Sequence, residues 1–176
     1  MNIPNLITVG RLILVPFVVA MIGRSQWDLA FYAFVVAGVS DAVDGFIARR
    51  FNMGSELGAY LDPIADKALL VSIYVTLAIV GAVPGWLAIV IVSRDVMIVG
   101  AVVLSWVLGN PVAINPSRLS KANTTAQIGF AALILASLAF GFDESQLVDG
   151  AMLVVAGLTV TSAAAYLAQW LRHMAD

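Results

Sequence analysis

Long apolar stretches, separated by short polar or glycine- and proline-containing breaks, run through the whole chain. An α-helix needs roughly 20 apolar residues to cross a bilayer, so the pattern predicts six transmembrane helices. They cover residues 6–23, residues 28–50, a third stretch that ends near Gly81, Trp86–Leu108, a fifth that opens with Ser117–Thr125, and a sixth that ends near His173. Pro63 leaves two alternatives for the third helix, which either begins at Asp62 or is kinked there.

Composition narrows this pattern to a class of protein. Of the 176 residues, 61% are hydrophobic and 11% are charged, and the mean hydropathy is +0.98. Soluble domains carry about 25% charged residues. We therefore expect an all-α, polytopic membrane protein in which residues 1–176 form one transmembrane domain. The formal net charge of −2 and the absence of a basic patch argue against nucleic acid as a partner.

Four aspartates lie between two very apolar stretches, at positions 41, 44, 62 and 66. A carboxylate at the centre of a membrane helix costs roughly 2.5 to 3.5 kcal/mol on insertion scales, so four of them need a compensating partner. Residues three or four apart share a helix face, and two such pairs on neighbouring helices could converge. Several carboxylates, in a chain with no cysteine, suit hard cations such as Mg²⁺, Mn²⁺ or Ca²⁺. The cluster predicts a divalent metal site.

The distribution of lysine and arginine predicts the orientation. With both termini on one side of the membrane, that side carries five basic residues, whereas the other carries Arg24 and the acidic segment 143–149. The five are Arg49, Arg50, Arg118, Lys121 and Arg172. By the positive-inside rule we expect a bacterial inner-membrane protein whose aspartate cluster faces the cytoplasm. The first stretch lacks a basic leader and a cleavage site, so we interpret it as a retained helix rather than a signal peptide.

The residues around the aspartates form a longer motif. Residues 41–66 match D-x2-D-G-x2-A-R-x8-G-x3-D-x3-D without a departure. The motif resembles that of the CDP-alcohol phosphotransferases, integral membrane enzymes of phospholipid synthesis. The resemblance implies that Asp66 is the catalytic base, and that two Mg²⁺ or Mn²⁺ ions are held by Asp41, Asp44, Asp62 and Asp66. It also implies a binding site for CDP-diacylglycerol formed by Asn5, Thr8, Gly45, Ala48, Arg49, Ser55 and Gly58.

Outside this motif, the chain resembles one branch of the family. Ser93–Met97, and Ser117–Thr124 together with Gln127, look like the CMP-forming cardiolipin synthases. Those enzymes join CDP-diacylglycerol to phosphatidylglycerol and release CMP. The resemblance therefore implies two lipid substrates, CDP-diacylglycerol and phosphatidylglycerol, and a homodimer, because similar proteins are homodimers.

Three cations offer a site for the phosphate of the acceptor, namely Arg94, Arg118 and Lys121. Each also has a simpler interpretation. Arg94 could neutralise the adjacent Asp95 within the membrane, and the other two could anchor the helix end at the cytoplasmic surface. Glycerol 3-phosphate would fit the same pocket, and the opening Asn2–Leu6 also resembles the phosphatidylglycerophosphate synthases. A phosphatidylglycerophosphate synthase is therefore the alternative function.

Intramembrane carboxylates also occur in channels and transporters for divalent cations. In this chain Arg49 is interleaved with the acidic residues. An arginine benefits a phosphate ligand, whereas it opposes the passage of a cation. No matching pattern of broken helices relates the two halves of the chain, which also argues against a transporter built from inverted repeats. A cation transporter is therefore the less favoured alternative.

Overall fold

The computed structural model describes residues 3–51, 56–107, 118–142 and 145–175. The structure does not describe the side chains of residues 3–9, 11–12, 41–42, 44–51 and 56–66, nor those of a few others. The described ranges form six helices: α1 (Ile3–Gly23), α2 (Trp27–Phe51), α3 (Glu56–Ile79), α4 (Gly85–Val107), α5 (Arg118–Phe140) and α6 (Ser145–Ala175). The predicted all-α fold is confirmed for this part of the chain.

The helix bounds agree with the hydropathy pattern to within a few residues, with one correction. Because α3 begins at Glu56, Asp62 and Pro63 lie inside the helix, and the alternative that the helix begins at Asp62 is wrong. A proline removes one N–H from the backbone hydrogen bonds of a helix, and membrane helices tolerate this because neighbouring groups satisfy the freed carbonyl. α1 likewise continues through Pro16.

Among the residues whose side chains the structure describes, three helical segments are long and apolar enough to cross a membrane. They are Gly85–Ser105, Arg118–Phe140 and Gln146–Met174. The described apolar segments of α1, α2 and α3 are shorter: Ile13–Gly23, Trp27–Ser40 and Lys67–Ile79. The presence of six helices is thus observed, and the crossing of the membrane by all six stays a prediction.

The chain divides into two compact units, and the first comprises Met1–Val83 with Ala131–Glu144. In this unit α1 packs against both α2 and α3. Its fully buried apolar side chains recur at helical spacing: Val18 and Ile22 on α1, Ala30 and Ala37 on α2, and Ile73 and Leu77 on α3. Small residues on one helix allow a close approach of its neighbours, and this packing is the main attraction between helices in lipid.

A tight turn ends α3. The backbone N–H of Ala82 donates to the carbonyl of Leu77 at 2.8 Å, which requires the intervening Gly81 to adopt the left-handed conformation, with φ of 77°. Glycine adopts this conformation without steric cost, so it is the residue most often found at this position of a helix end.

The second unit comprises Pro84–Phe130 with Ser145–Asp176, and so contains α4, the first half of α5, and α6. α4 and α6 run in the same direction. Their paired residues are Arg94 with Ser162, Ala101 with Trp170, and Ser105 with Met174, which lie 68, 69 and 69 positions apart. Because this offset changes by only one position between Arg94 and Ser105, the two helices keep one register over about three turns.

α5 runs against this direction. Ser120 meets Arg94 at the level of Ser162, and Asn123, one turn further along α5, meets Thr159, one turn earlier on α6. α4 and α6 each continue past this level by roughly 13 residues, which corresponds to about 20 Å of helix. The first turn of α5 therefore lies partway along α4 and α6, beside the buried side chain of Arg94.

Candidate active site

The four aspartates of the motif lie on two helices of the first unit. Asp41 and Asp44 belong to α2, and Asp62 and Asp66 to α3, so each pair occupies successive turns of a helix, as the metal-site prediction requires. Their side chains lie outside the described residues, and so do those of the predicted CDP-diacylglycerol site at Asn5, Thr8, Gly45, Ala48, Arg49 and Gly58. Ser55 lies outside them altogether. Metal binding and the role of Asp66 stay predictions.

In the second unit, Arg94 is the centre of a buried polar cluster. Its side chain is 3% exposed, and its Nη1 donates to Asp95 Oδ1 at 2.6 Å. Its Nη2 donates to the hydroxyls of Ser120 and Ser162, at 2.6 and 3.0 Å. The ion pair between Arg94 and Asp95, one of the two interpretations given to this arginine, is thus present. Burial of two opposite charges is tolerated when they contact each other and have further hydrogen bonds, as here.

The guanidinium of Arg94 has N–H groups that these contacts do not use. An arginine carries five N–H groups, and the contacts with Asp95, Ser120 and Ser162 use three of them. Its Nε is buried and has no hydrogen-bond partner among the described residues. A buried donor without a partner costs about 1 to 3 kcal/mol, more for a charged group. Arg94 can therefore act both as a structural ion pair and as a donor to an anionic ligand.

The other two predicted cations are in the first turn of α5. Arg118 and Lys121 are both exposed, and Ser120 between them contacts Arg94. A helix N-terminus carries unpaired N–H groups and a positive partial charge, so this end of α5 adds to the attraction for an anion. The fold thus brings the helix turn that carries Arg118 and Lys121 to Arg94, as the predicted acceptor site requires.

A second set of polar side chains continues the cluster along α5 and α6. Asn123, Gln127 and Thr159 are fully buried. The hydroxyl of Thr159 lies 2.8 Å from Asn123 Oδ1 and 2.7 Å from the carbonyl of Val155, and can donate to only one of them at a time. Gln127 Nε2 donates to the same hydroxyl at 3.3 Å. These contacts hold α5 against α6.

The far end of the pair α4 and α6 is fixed by a tryptophan. Trp170 Nε1 lies 2.7 Å from Ser105 Oγ and 3.1 Å from the carbonyl of Ala101. Sequence reasoning missed this contact, together with Thr159 and Ser162. Hydroxyl groups in an otherwise apolar helix were the only available signal for the last two, and such groups often bond to their own helix backbone.

The family model of the CDP-alcohol phosphatidyltransferases matches residues 1–169. The chain belongs to this family. With the apolar helices, membership indicates an integral membrane protein. The predicted resemblance is thus confirmed at the level of the family, whose members are transferases.

Individual relatives are named for two different activities. A CMP-forming cardiolipin synthase of Homo sapiens is 34% identical over 181 residues, which cover 94% of this chain and 60% of that protein. A cardiolipin synthase and mitochondrial hydrolase fusion protein of Schizosaccharomyces pombe is 32% identical over 180 residues, or 94% of this chain and 30% of that protein. The chain thus spans 60% or less of the length of these two relatives.

A third relative is named for a different activity and has a similar length. The CDP-diacylglycerol–glycerol-3-phosphate 3-phosphatidyltransferase of Bacillus subtilis strain 168 is 34% identical over 177 residues, which cover 92% of this chain and 91% of that protein. Sequence identity therefore does not separate phosphatidylglycerol from glycerol 3-phosphate as the acceptor.

Proposed function

We propose that this protein is a CMP-forming cardiolipin synthase, which transfers the phosphatidyl group of CDP-diacylglycerol to phosphatidylglycerol. The observation that carries the proposal is the complete match of residues 41–66 to the family motif, on two helices of a chain that belongs to the family. The similarity of Ser93–Met97 and Ser117–Thr124 to cardiolipin synthases supports the choice of acceptor.

The donor site is assigned to α2 and α3. Asp41, Asp44, Asp62 and Asp66 form an oxygen-only donor set, which fits Mg²⁺ or Mn²⁺, and two such ions would neutralise the diphosphate and the departing CMP. Asp66 accepts the proton of the acceptor hydroxyl. The hydroxyl oxygen forms its bond to the phosphorus of the phosphatidyl group as the bond from that phosphorus to the bridging oxygen breaks, and CMP leaves. Contacts to CDP-diacylglycerol come from Asn5, Thr8, Gly45, Ala48, Arg49, Ser55 and Gly58.

The acceptor site is assigned to Arg94, Arg118 and Lys121. Three properties of the second unit support this assignment: the buried Nε of Arg94 without a partner among the described residues, the exposed side chains of Arg118 and Lys121, and the N-terminus of α5 beside them. Arginine and a helix N-terminus both favour a phosphate oxygen.

All six helices cross the membrane in this proposal, and residues 1–176 form one transmembrane domain. The common direction of α4 and α6, and the opposite direction of α5, suit helices that cross in alternation. Because Arg118 and Lys121 begin α5 and Arg172 lies in the same half of this unit, toward the end of α6, the positive-inside rule directs that half toward the cytoplasm of a bacterial inner membrane. The protein acts as a homodimer.

Phosphatidylglycerophosphate synthesis is the second candidate. It is favoured by the Bacillus subtilis relative, which the chain matches over 91% of its length. The two candidates share the donor, the metal site and CMP release, and differ only in whether the acceptor phosphate belongs to a lipid or to glycerol 3-phosphate.

A single assay separates these functions. The purified protein in liposomes receives CDP-diacylglycerol with Mg²⁺ or Mn²⁺, and either phosphatidylglycerol or glycerol 3-phosphate. We expect CMP and cardiolipin with phosphatidylglycerol, and no CMP after the metal is removed with EDTA. Release of CMP with glycerol 3-phosphate alone would make the protein a phosphatidylglycerophosphate synthase. Entry of divalent cations into the liposomes, without CMP release, would make it a transporter.

A further inference from the structure

The orientation of Arg94 is determined by three side chains from three helices. Asp95 on α4 contacts Nη1, and Ser120 on α5 and Ser162 on α6 both accept hydrogen bonds from Nη2. An arginine side chain has many rotamers, and fixing it in one of them lowers the entropy lost when a ligand binds. The protein has therefore ordered this guanidinium before any ligand arrives.

The hydroxyl of Ser162 is not required for α6 to form. Ser162 is 3% exposed and lies in a long apolar helix, where alanine would have the higher helix propensity. The neighbouring Thr161 is exposed, and its hydroxyl lies 2.7 Å from the carbonyl of Gly157 in the same helix. Two adjacent hydroxyls thus differ in use, because one bonds to its own helix and the other to the arginine of α4.

The N–H groups of Arg94 that already have partners determine which N–H groups remain for a ligand. With Nη2 directed to the two serines and Nη1 directed to Asp95, the Nε–H, which has no partner among the described residues, remains for a ligand. If Ser162 were absent, Ser120 alone would hold Nη2, and the position of Nε would be less fixed.

We propose that Ser162, with Ser120 as the second anchor, is a positioning residue that holds the guanidinium of Arg94 ready for the phosphate of the acceptor. The inference rests on the proposed function insofar as Arg94 binds the acceptor, and it holds whether that phosphate belongs to phosphatidylglycerol or to glycerol 3-phosphate. Neither serine touches the substrate; each acts through Arg94.

The first experiment compares Ser162→Ala, Ser162→Thr and Thr161→Ala in the CMP-release assay, with the acceptor and CDP-diacylglycerol varied separately. Loss of one hydrogen bond to a charged group predicts that Ser162→Ala raises the KM for the acceptor about tenfold. The KM for CDP-diacylglycerol is expected to stay within about twofold of wild type. Ser162→Thr restores the hydroxyl and the KM, and Thr161→Ala behaves as wild type. An unchanged acceptor KM, or equal changes in both KM values, would overturn the inference.

The second experiment measures binding without turnover. The midpoint of thermal unfolding in a neutral detergent is followed against increasing phosphatidylglycerol, glycerol 3-phosphate or, as the uncharged control, diacylglycerol. Ser162→Ala is expected to weaken binding of the phosphate-bearing compound that stabilises the wild type, by about tenfold. If the wild type binds one of the two phosphate-bearing compounds but releases no CMP, the proposed function is wrong. The binding experiment alone then tests the role of Ser162.

Binding that is equal in Ser162→Ala and wild type would overturn the inference, as would a wild type that binds neither phosphate compound. Should Ser162→Ala fail to fold, Ser120→Ala removes the other hydrogen bond to the same nitrogen and takes its place in both experiments, with the same expected results.

Discussion

The two compact units carry their polar chemistry in opposite ways. In the first, four aspartates, an arginine and two glycines of one motif fall within residues 41–66, on helices that follow each other directly. In the second, the groups around Arg94 come from three helices and are up to 68 positions apart. The first arrangement is a contiguous motif and the second a tertiary network. A motif can be detected from its spacing, whereas a network becomes visible only when the helices are packed.

The difference also concerns what each arrangement does for stability. Like charges that lie close together repel each other until a cation neutralises them, so such a cluster favours binding over folding. The network around Arg94 contains both charges and several hydroxyls, so its charges are paired and its hydrogen bonds join three helices, while Nε of Arg94 has no partner among the described residues. We therefore expect substitutions in the motif to affect activity, and substitutions in the network to affect stability, acceptor binding, or both.

The largest expected effect is on the motif. Asp66→Asn removes the proposed base while it retains the size of the side chain, and should lower turnover by about 10² to 10⁴-fold, the usual contribution of general base catalysis. CMP release measures the loss, and the midpoint of thermal unfolding should be close to that of wild type. Asp149→Asn, an exposed position of α6, is the control and should have full activity. An Asp66→Asn enzyme with normal turnover would rule out this base.

The next effect separates stability from function at Arg94. Arg94→Leu removes the charge that contacts Asp95 in a buried position, and should destabilise the protein by about 3 to 5 kcal/mol. The double substitution Arg94→Leu with Asp95→Leu removes both charges and should recover much of the stability. Its activity toward the acceptor should stay low, because the phosphate has lost its donor. Unfolding by denaturant in detergent and CMP release measure the two properties.

Two results would contradict this view of Arg94. A double variant with the acceptor KM of wild type would show that Arg94 only stabilises the helix packing. An Arg94→Leu protein as stable as wild type would show that the ion pair contributes nothing to the fold.

The smallest effect is expected from Thr159→Val, which keeps the shape of the side chain and removes the hydroxyl that contacts Asn123 and Gln127. Hydrogen bonds between membrane helices contribute about 0.6 kcal/mol on average, and up to about 1.7, so we expect a loss of about 1 kcal/mol. For a chain of this size the midpoint of thermal unfolding would fall by about 2 to 4 °C. Thr161→Val, whose hydroxyl bonds to its own helix, is the matched control. Equal effects of the two substitutions would show that the contact between α5 and α6 contributes nothing.

Much of the fold could be predicted from the sequence, because the signal for each helix is local. Apolar stretches and their breaks placed α4 at Trp86–Leu108, and the helix runs from Gly85 to Val107. The sequence does not settle the start of α3, because Pro63 favours either a helix start at Asp62 or a kink there. The helix begins at Glu56, and a proline inside a membrane helix is tolerated when its neighbours satisfy the freed carbonyl.

The candidate site was predictable only where adjacent residues define it. Arg94 and Asp95 follow each other in the sequence, so their pairing was one of two interpretations, and it is present. Ser162 could not have been distinguished from Thr161, since a hydroxyl in an apolar helix can bond to its own backbone or to a neighbour. Only the packing of α4 against α6 shows which of the two hydroxyls contacts the arginine. The ligand set of the four aspartates stays a prediction.

The common direction of α4 and α6 predicts that both helices end on the same side of the membrane, and this can be measured. If both helices span the bilayer, the last turn of α4 and the last turn of α6 emerge into the same compartment. A cysteine placed at Val107 and another at Arg172, each in the otherwise cysteine-free chain, should therefore react alike with a membrane-impermeant maleimide. Reaction at one position in intact cells and at the other only after lysis would refute this shared exit.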